Sequence, residues 1–265
     1  MLQFEGLAED CNIFHFMTTR LGGVGLGAYA SFNLGAFCGD KPEHVTENRK
    51  RLCAAIGLHP EDMYVPHQTH GTEIGVIDTD FLARTSEEQA ETLEGVDALL
   101  TDLPGVGIAV TTADCVPIVL YAPDKEVAGV AHAGWRGTCN GIVAKTVEAM
   151  VARYGANPAL IRAGIGPCIS QEAFEVGHEV VDAFTAAGIN LDGACYYNES
   201  TGKPHIDLTE VNRRQLIDAG VSEENIETAG ICTYTNHNEF FSARRLSIHS
   251  GRFLTGIVRT PKTNK

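Results

Sequence analysis

Four apolar runs crowd the middle of the chain, at residues 96–101, 106–111, 116–121 and 127–132, and they constrain the fold more than any other feature. They are rich in β-branched residues and begin about ten residues apart. Pro104-Gly105 and Pro123-Asp124 supply turns, so the runs suit an antiparallel or mixed sheet. An extended segment at 11–18 precedes them. Pro42 opens a helix in which Val45, Arg49, Leu52 and Ile56 share one face, and Gly57 ends it. Residues 63–70 and 73–78 read as strands flanking Gly71, and the acidic stretch 85–94 as a solvated helix or loop. A helix over about 140–154 buries Ile142, Val143, Thr146, Val147, Met150 and Val151 and stops at Gly155. A strand at 160–165, helices at 176–187 and 208–219 and a closing strand at 251–259 complete the reading. Strands in runs with helices outside them predict an α+β fold, a layered α/β/β/α arrangement with mixed or antiparallel sheets. No repeat, linker or composition break divides the chain, so one catalytic domain over 1–265 is expected.

Charge narrows the partners. With 20 basic and 34 acidic residues the formal charge is −14, and a chain so acidic repels a phosphate backbone; nucleic acid is not an expected partner. A small anion is still compatible, because a few arginines in a cleft overcome a negative average. The N-terminal residues lack a basic segment followed by a continuous apolar one, and no stretch approaches the ~20 apolar residues of a membrane span. Eight cysteines with no Cys-x-x-Cys pair read as cytosolic thiols. A soluble cytoplasmic protein is expected, monomeric or a weak homo-oligomer.

Three segments resist a purely structural explanation: V-P-H-Q-T-H-G-T-E, V-T-T-A-D-C-V-P-I and G-V-A-H-A-G-W-R-G-T. Each places His or Cys at a strand end. Zinc accepts imidazole nitrogen and thiolate sulfur together and tolerates three protein ligands with water in the fourth position. Such a site lowers the pKa of the bound water to ~7. One Cys and two His from separate strand ends form a catalytic rather than a structural pattern. Positions three apart on a strand face opposite ways, so His67 and His70 cannot both reach one ion without a bend. His70 abuts Gly71, where the backbone permits close approach, and is preferred; His67 is then a core residue or a support for the ligands.

The segments H-Q-T-H-G, D-A-L-L-T-D, T-A-D-C-V-P, H-A-G-W-R-G-T, G-I-G-P-C-I and F-F-S-A-R-R resemble the YfiH family, the polyphenol oxidase or laccase-domain proteins. The likeness runs from M-T-T-R-x-G-G and S-F-N-L-G to S-G-R near the C-terminus, nearly the whole chain. It implies a layered α/β domain with zinc on two His and one Cys, which by motif fall on His70, Cys115 and His132. It also implies phosphorolysis of adenosine and inosine, with adenosine deamination and methylthioadenosine phosphorolysis beside it. Oxidation of phenols fits the residues less well. Several coppers call for many histidines, often as His-x-His, and none of the ten histidines forms such a pair. Zinc is therefore expected over copper.

Phosphorolysis needs an anion clamp, stabilisation of a cationic sugar and a proton for the departing purine. Cys115, His132 and Asp114 are the candidate catalytic residues, with Asp114 either a proton shuttle or an orienting partner for an imidazole. Arg20, Arg136 and Arg245 are candidate phosphate or ribose contacts because guanidinium forks match phosphate. Asn33 and Gln68 could read ribose or base, and Trp135 could stack on a purine. Gly22–Gly27 lacks the context of a dinucleotide or phosphate loop. The His-x-Glu and Pro-Cys-x-x-Cys signature of familiar nucleobase deaminases is absent. The rival reading is a Cys115–His132 nucleophile acting on an amide, as in editing of peptidoglycan precursors.

Overall fold

Every residue of the strands Val116–Ala122 and Val127–Ala133 is buried, which requires that both faces of their sheet be covered. The two pair antiparallel at the centre of a six-stranded sheet. Its order is Ile226–Thr228, Arg162–Ile165, Val116–Ala122, Val127–Ala133, Val96–Thr101, Glu73–Val76, and both edge pairs are parallel. Side chains alternate across it. Ile118, Leu120, Ala131 and Ala133 pack beneath Ile142, Val143, Val147 and Met150 of the helix Ile142–Tyr154 and Val180 and Phe184 of the helix His178–Ala186. Val119, Tyr121, Ala128 and Val130 face the other way, onto Ile13, Met17, Ile108, Val110 and Ile257 of a second sheet.

That second sheet has four strands, in the order Ile13–Met17, Phe253–Arg259, Gly107–Thr112, Met63–Tyr64. Its outer face carries Phe16, Ala109, Leu254 and Val258, which pack on Leu34 and on Leu52 of the helix Pro42–Ile56. The computed structural model, which describes residues 1–261, is thus a layered α/β/β/α fold of mixed sheets. Residues 262–265 of the expected domain lie outside the described residues. No helix among the described residues is long and apolar enough to cross a membrane.

Two elements differ from the sequence expectation. The stretch 63–70 contributes only Met63–Tyr64 to a sheet. Pro66 has no N–H to donate, and His70 adopts a left-handed backbone (φ 64°) that no strand accommodates. The helix expected over about 140–154 is there as Ile142–Tyr154, but a short helix not foreseen from sequence, Trp135–Cys139, precedes it, with Gly141 (φ 75°) between the two.

Register positions the chemistry. In the antiparallel centre Pro117 lies opposite His132, so Cys115 and His132 share one end of the sheet. Ala98 pairs with Ala131 on the next strand, which sets Asp97 level with His132.

Candidate metal centre

His70, Cys115 and His132 converge at that end of the sheet, with their donor atoms all within 4.8 Å of one another. Among the described residues this is the one group of three or more His, Cys, Asp or Glu side chains able to hold a metal ion. The imidazoles of His70 and His132 meet edge-on with centroids 4.8 Å apart. Gly134 lets the cluster close: a Cβ there would come within 2.8 Å of His70 Cδ2 and 3.1 Å of Cys115 Sγ.

Asp97 organises the centre. It is completely buried, and one oxygen lies 2.7 Å from Nδ1 of His132. The same carboxylate accepts the backbone N–H groups of Thr69 (3.2 Å), His70 (3.0 Å) and Gly71 (2.7 Å). Successive amides turned inward by a left-handed residue form a nest for an anion, here filled by a side chain. One carboxylate thus fixes the ring of His132 and the loop that presents His70. Burial alone raises the Asp97 carboxyl, but His132 and the amides outweigh it and hold it below the usual range. Asp97 opens the D-A-L-L-T-D segment, yet no role was assigned to it from sequence. The available signal was an acid inside an apolar strand.

Without a metal, the electrostatics favour a thiolate beside an imidazolium. Burial pushes the Cys115 thiol up, but the charge and hydrogen bonds of His132 and His70 bring it down to about 6. Burial likewise lowers His132, and Cys115 and Asp97 together raise it to about 9.

The three residues open onto a cavity of about 340 Å³, lined also by Phe37, Arg49, His67, Gln68, Thr111 and Arg252. That is the size range of small-molecule sites. Gln68 is locked to Thr111: its Nε2 donates to the carbonyl (2.8 Å), and its Oε1 accepts from the amide (2.8 Å) and the hydroxyl (2.9 Å). His67 stands at the wall on Glu94 (2.8 Å) with Phe37 stacked on its ring at 3.8 Å.

Other residues singled out from sequence lie elsewhere. Arg20 donates to the carbonyls of Ala30 and His237, and Arg136 covers Trp135 at 4.2 Å. Arg245 covers Tyr234 at 5.1 Å. None of these four side chains lines the cavity. Asn33 is buried just behind it, where its Oδ1 accepts from the amides of Gly35 (3.1 Å) and Arg252 (2.8 Å). Asp114 (φ 91°) adjoins Cys115, but its oxygens accept from the Thr233 hydroxyl and the Arg244 amide, each at 2.7 Å. It braces loops and touches no imidazole. The basic residues on the cavity wall, Arg49 and Arg252, were not singled out as ligand contacts from sequence.

A family model described as multi-copper polyphenol oxidoreductase laccase matches residues 14–260. A purine nucleoside phosphorylase of Bacteroides thetaiotaomicron is 45% identical over 258 residues, covering 97% of this chain and 96% of its own. Adenosine deaminase RL5, from an unknown prokaryotic organism, is 47% identical over 244 residues, 92% of this chain and 93% of its own. The crystal structure of Bacillus licheniformis hypothetical protein YfiH superposes with a TM-score of 0.87 at 34% identity, covering 93% of this chain and 92% of that one. With the ligand cluster, the layered fold and the near-complete match in agreement, the chain belongs to the YfiH-type laccase-domain family.

Proposed function

We propose that this chain is a zinc-dependent purine nucleoside enzyme. In this reading it cleaves adenosine, inosine and methylthioadenosine with phosphate to base and sugar 1-phosphate, and it deaminates adenosine. The observation that carries the reading is a donor set of two imidazoles and one thiolate in the wall of a nucleoside-sized cavity. The names of the relatives, purine nucleoside phosphorylase and adenosine deaminase, supply the substrate class.

The donors suit zinc, which takes nitrogen and sulfur ligands and leaves a position open in catalytic sites. A multicopper site would need several more imidazoles, and among the described residues there is no second cluster. His70, Cys115 and His132 would hold the zinc, which would supply Lewis acidity at neutral pH.

The remaining work belongs to the chain. Asp97 keeps the proton on Nδ1 of His132, which leaves Nε2 with its lone pair free to ligate. A Cys115 thiol held near 6 is deprotonated at neutral pH, the form in which sulfur binds metals. Asp114 holds the Cys115 loop through Thr233 and Arg244 rather than carrying a proton. Phe37 at the wall offers an apolar ring to a base.

The metal-free pairing of Cys115 with His132 favours one second reading, a thiol nucleophile acting on an amide. Product analysis tests the first. Metal-analysed protein is incubated with adenosine, with and without phosphate. Adenine and ribose 1-phosphate are expected with phosphate present, inosine also forms without it, and a chelator stops both. Activity that survives chelation but not thiol alkylation supports the nucleophile instead. No turnover of adenosine under any condition sinks the nucleoside reading.

A further inference from the structure

The chain carries 34 acidic residues, yet none lines the cavity beside the metal centre, whereas two arginines do. Their guanidinium groups are held differently. Arg252 is held at three points by backbone: Nη1 donates to the carbonyls of Ser250 (2.7 Å) and Gly251 (2.9 Å), and Nη2 to that of Ile248 (3.0 Å). Arg49 is tied at one point, from Nε to the carbonyl of Leu34 (3.1 Å). Among the described residues no acceptor engages its two Nη groups, and no carboxylate lies within ion-pair distance.

Arg49 sits on the face of the helix Pro42–Ile56 that carries Val45, Leu52 and Cys53 into the core, and is itself half-buried. Burial draws its pKa below the ordinary arginine value. A partly buried cation without a counter-charge carries a desolvation cost, and the usual remedies are a paired carboxylate or a bound anion. The first is missing here. Arg49 lines the cavity that also holds His70, Cys115 and His132. A guanidinium presents parallel N–H donors at the spacing of two phosphate oxygens.

We propose that Arg49 is the oxyanion subsite of this cavity, where its two Nη groups hold inorganic phosphate for attack on the nucleoside. The inference rests on phosphorolysis as the reaction. A phosphate oxygen forms the bond to C1′ of the sugar as the bond from C1′ to the purine nitrogen breaks. The electron pair leaves with the base, and the proton of hydrogenphosphate ends on that nitrogen. Nε fixes the plane of the guanidinium through Leu34, and Arg252, which also lines the cavity, adds positive potential.

The test uses full-length, metal-loaded protein and the variants Arg49→Gln and Arg49→Lys, checked for unchanged melting temperature and metal content. Arg49→Gln is expected to raise the KM for phosphate by about 10- to 100-fold, the range for losing a charge-assisted pair of hydrogen bonds, and the KM for adenosine far less. Arg49→Lys keeps a charge but not the fork, so its phosphate KM falls between the two. A structural role through Leu34 predicts instead that both variants behave alike, since both lose Nε, and that the two KM values move together; that result overturns the proposal. Calorimetric titration with inorganic phosphate alone separates the subsite from the reaction. Phosphate binding in the wild type that Arg49→Gln abolishes upholds the subsite even if no phosphorolysis is found. No binding to wild type refutes it whatever the enzyme turns over.

Discussion

His15 and His132 are both buried, one in each sheet, and burial treats their charge in the same way but leaves them in opposite states. His15 lies in the four-stranded sheet, its Nε2 accepting from the Phe4 amide at 2.7 Å and its ring stacked on Phe4. Among the described residues its Nδ1 has no partner, and burial draws its pKa down to about 4. His132 is subject to the same desolvation, yet Asp97 and Cys115 reverse it and carry the pKa to about 9. Enclosure by itself makes a histidine neutral and inert. A buried carboxylate on Nδ1 and a thiolate by the other nitrogen make it a ligand or a base. The second arrangement needs a further device, since Asp97 must itself be stabilised, and the amides of Thr69, His70 and Gly71 do that.

The comparison breaks most sharply at Asp97. In Asp97→Asn the side-chain amide cannot accept from His132 and from three backbone amides at once, so the environment of His132 moves toward that of His15. Loss of an orienting partner lowers metal affinity by about 10- to 100-fold. An uncompensated buried network also destabilises by roughly 3 kcal/mol. Both effects are expected together, measured by competition with a chelator and by denaturant unfolding. Wild-type metal affinity in a folded Asp97→Asn protein would break the link between the carboxylate and the centre.

His15 gives the smaller effect, read through pH. Its folded pKa, about 4, lies below the ordinary value of 6.5, so the native state excludes the proton that the unfolded chain accepts. Stability from the neutral ring is fully present above pH 6.5 and declines as pH falls toward 4, by up to about 3 kcal/mol. Unfolding free energies over that window should flatten in His15→Gln relative to wild type. An equally steep decline in the variant would show that other groups set the acid sensitivity.

How much of this could be read from sequence depended on whether a signal was local. The central strands declared themselves because their apolar runs lie between turns, and Pro42 and Gly57 bracket a helix that the structure bounds at Pro42–Ile56. The loop at His70 did not, because a left-handed turn wrapped around a carboxylate 27 positions away leaves no periodic trace. Strand alternation, the reason given for admitting only one of His67 and His70, does not apply, since neither residue lies in a strand. The turn and the Asp97 nest are what bring His70 to the cluster. Arg20, Arg136 and Arg245 stand in or near motif segments but do not line the cavity; their side chains engage Ala30 and His237, Trp135 and Tyr234 instead. Arg49 carried the opposite clue, a cation on the apolar face of an amphipathic helix. Asp97 carried a similar one, an acid within an apolar strand. Both mark places where an unfavourable burial calls for a partner.

X-ray absorption and metal analysis of the full-length protein, beside Cys115→Ala, bear most directly on the centre itself. The expected result is about one zinc per chain, with one sulfur at ~2.3 Å and two imidazole nitrogens at ~2.0–2.1 Å, and its loss in the variant. Copper in active wild-type protein, or zinc retained at wild-type stoichiometry by Cys115→Ala, would contradict a zinc centre on His70, Cys115 and His132.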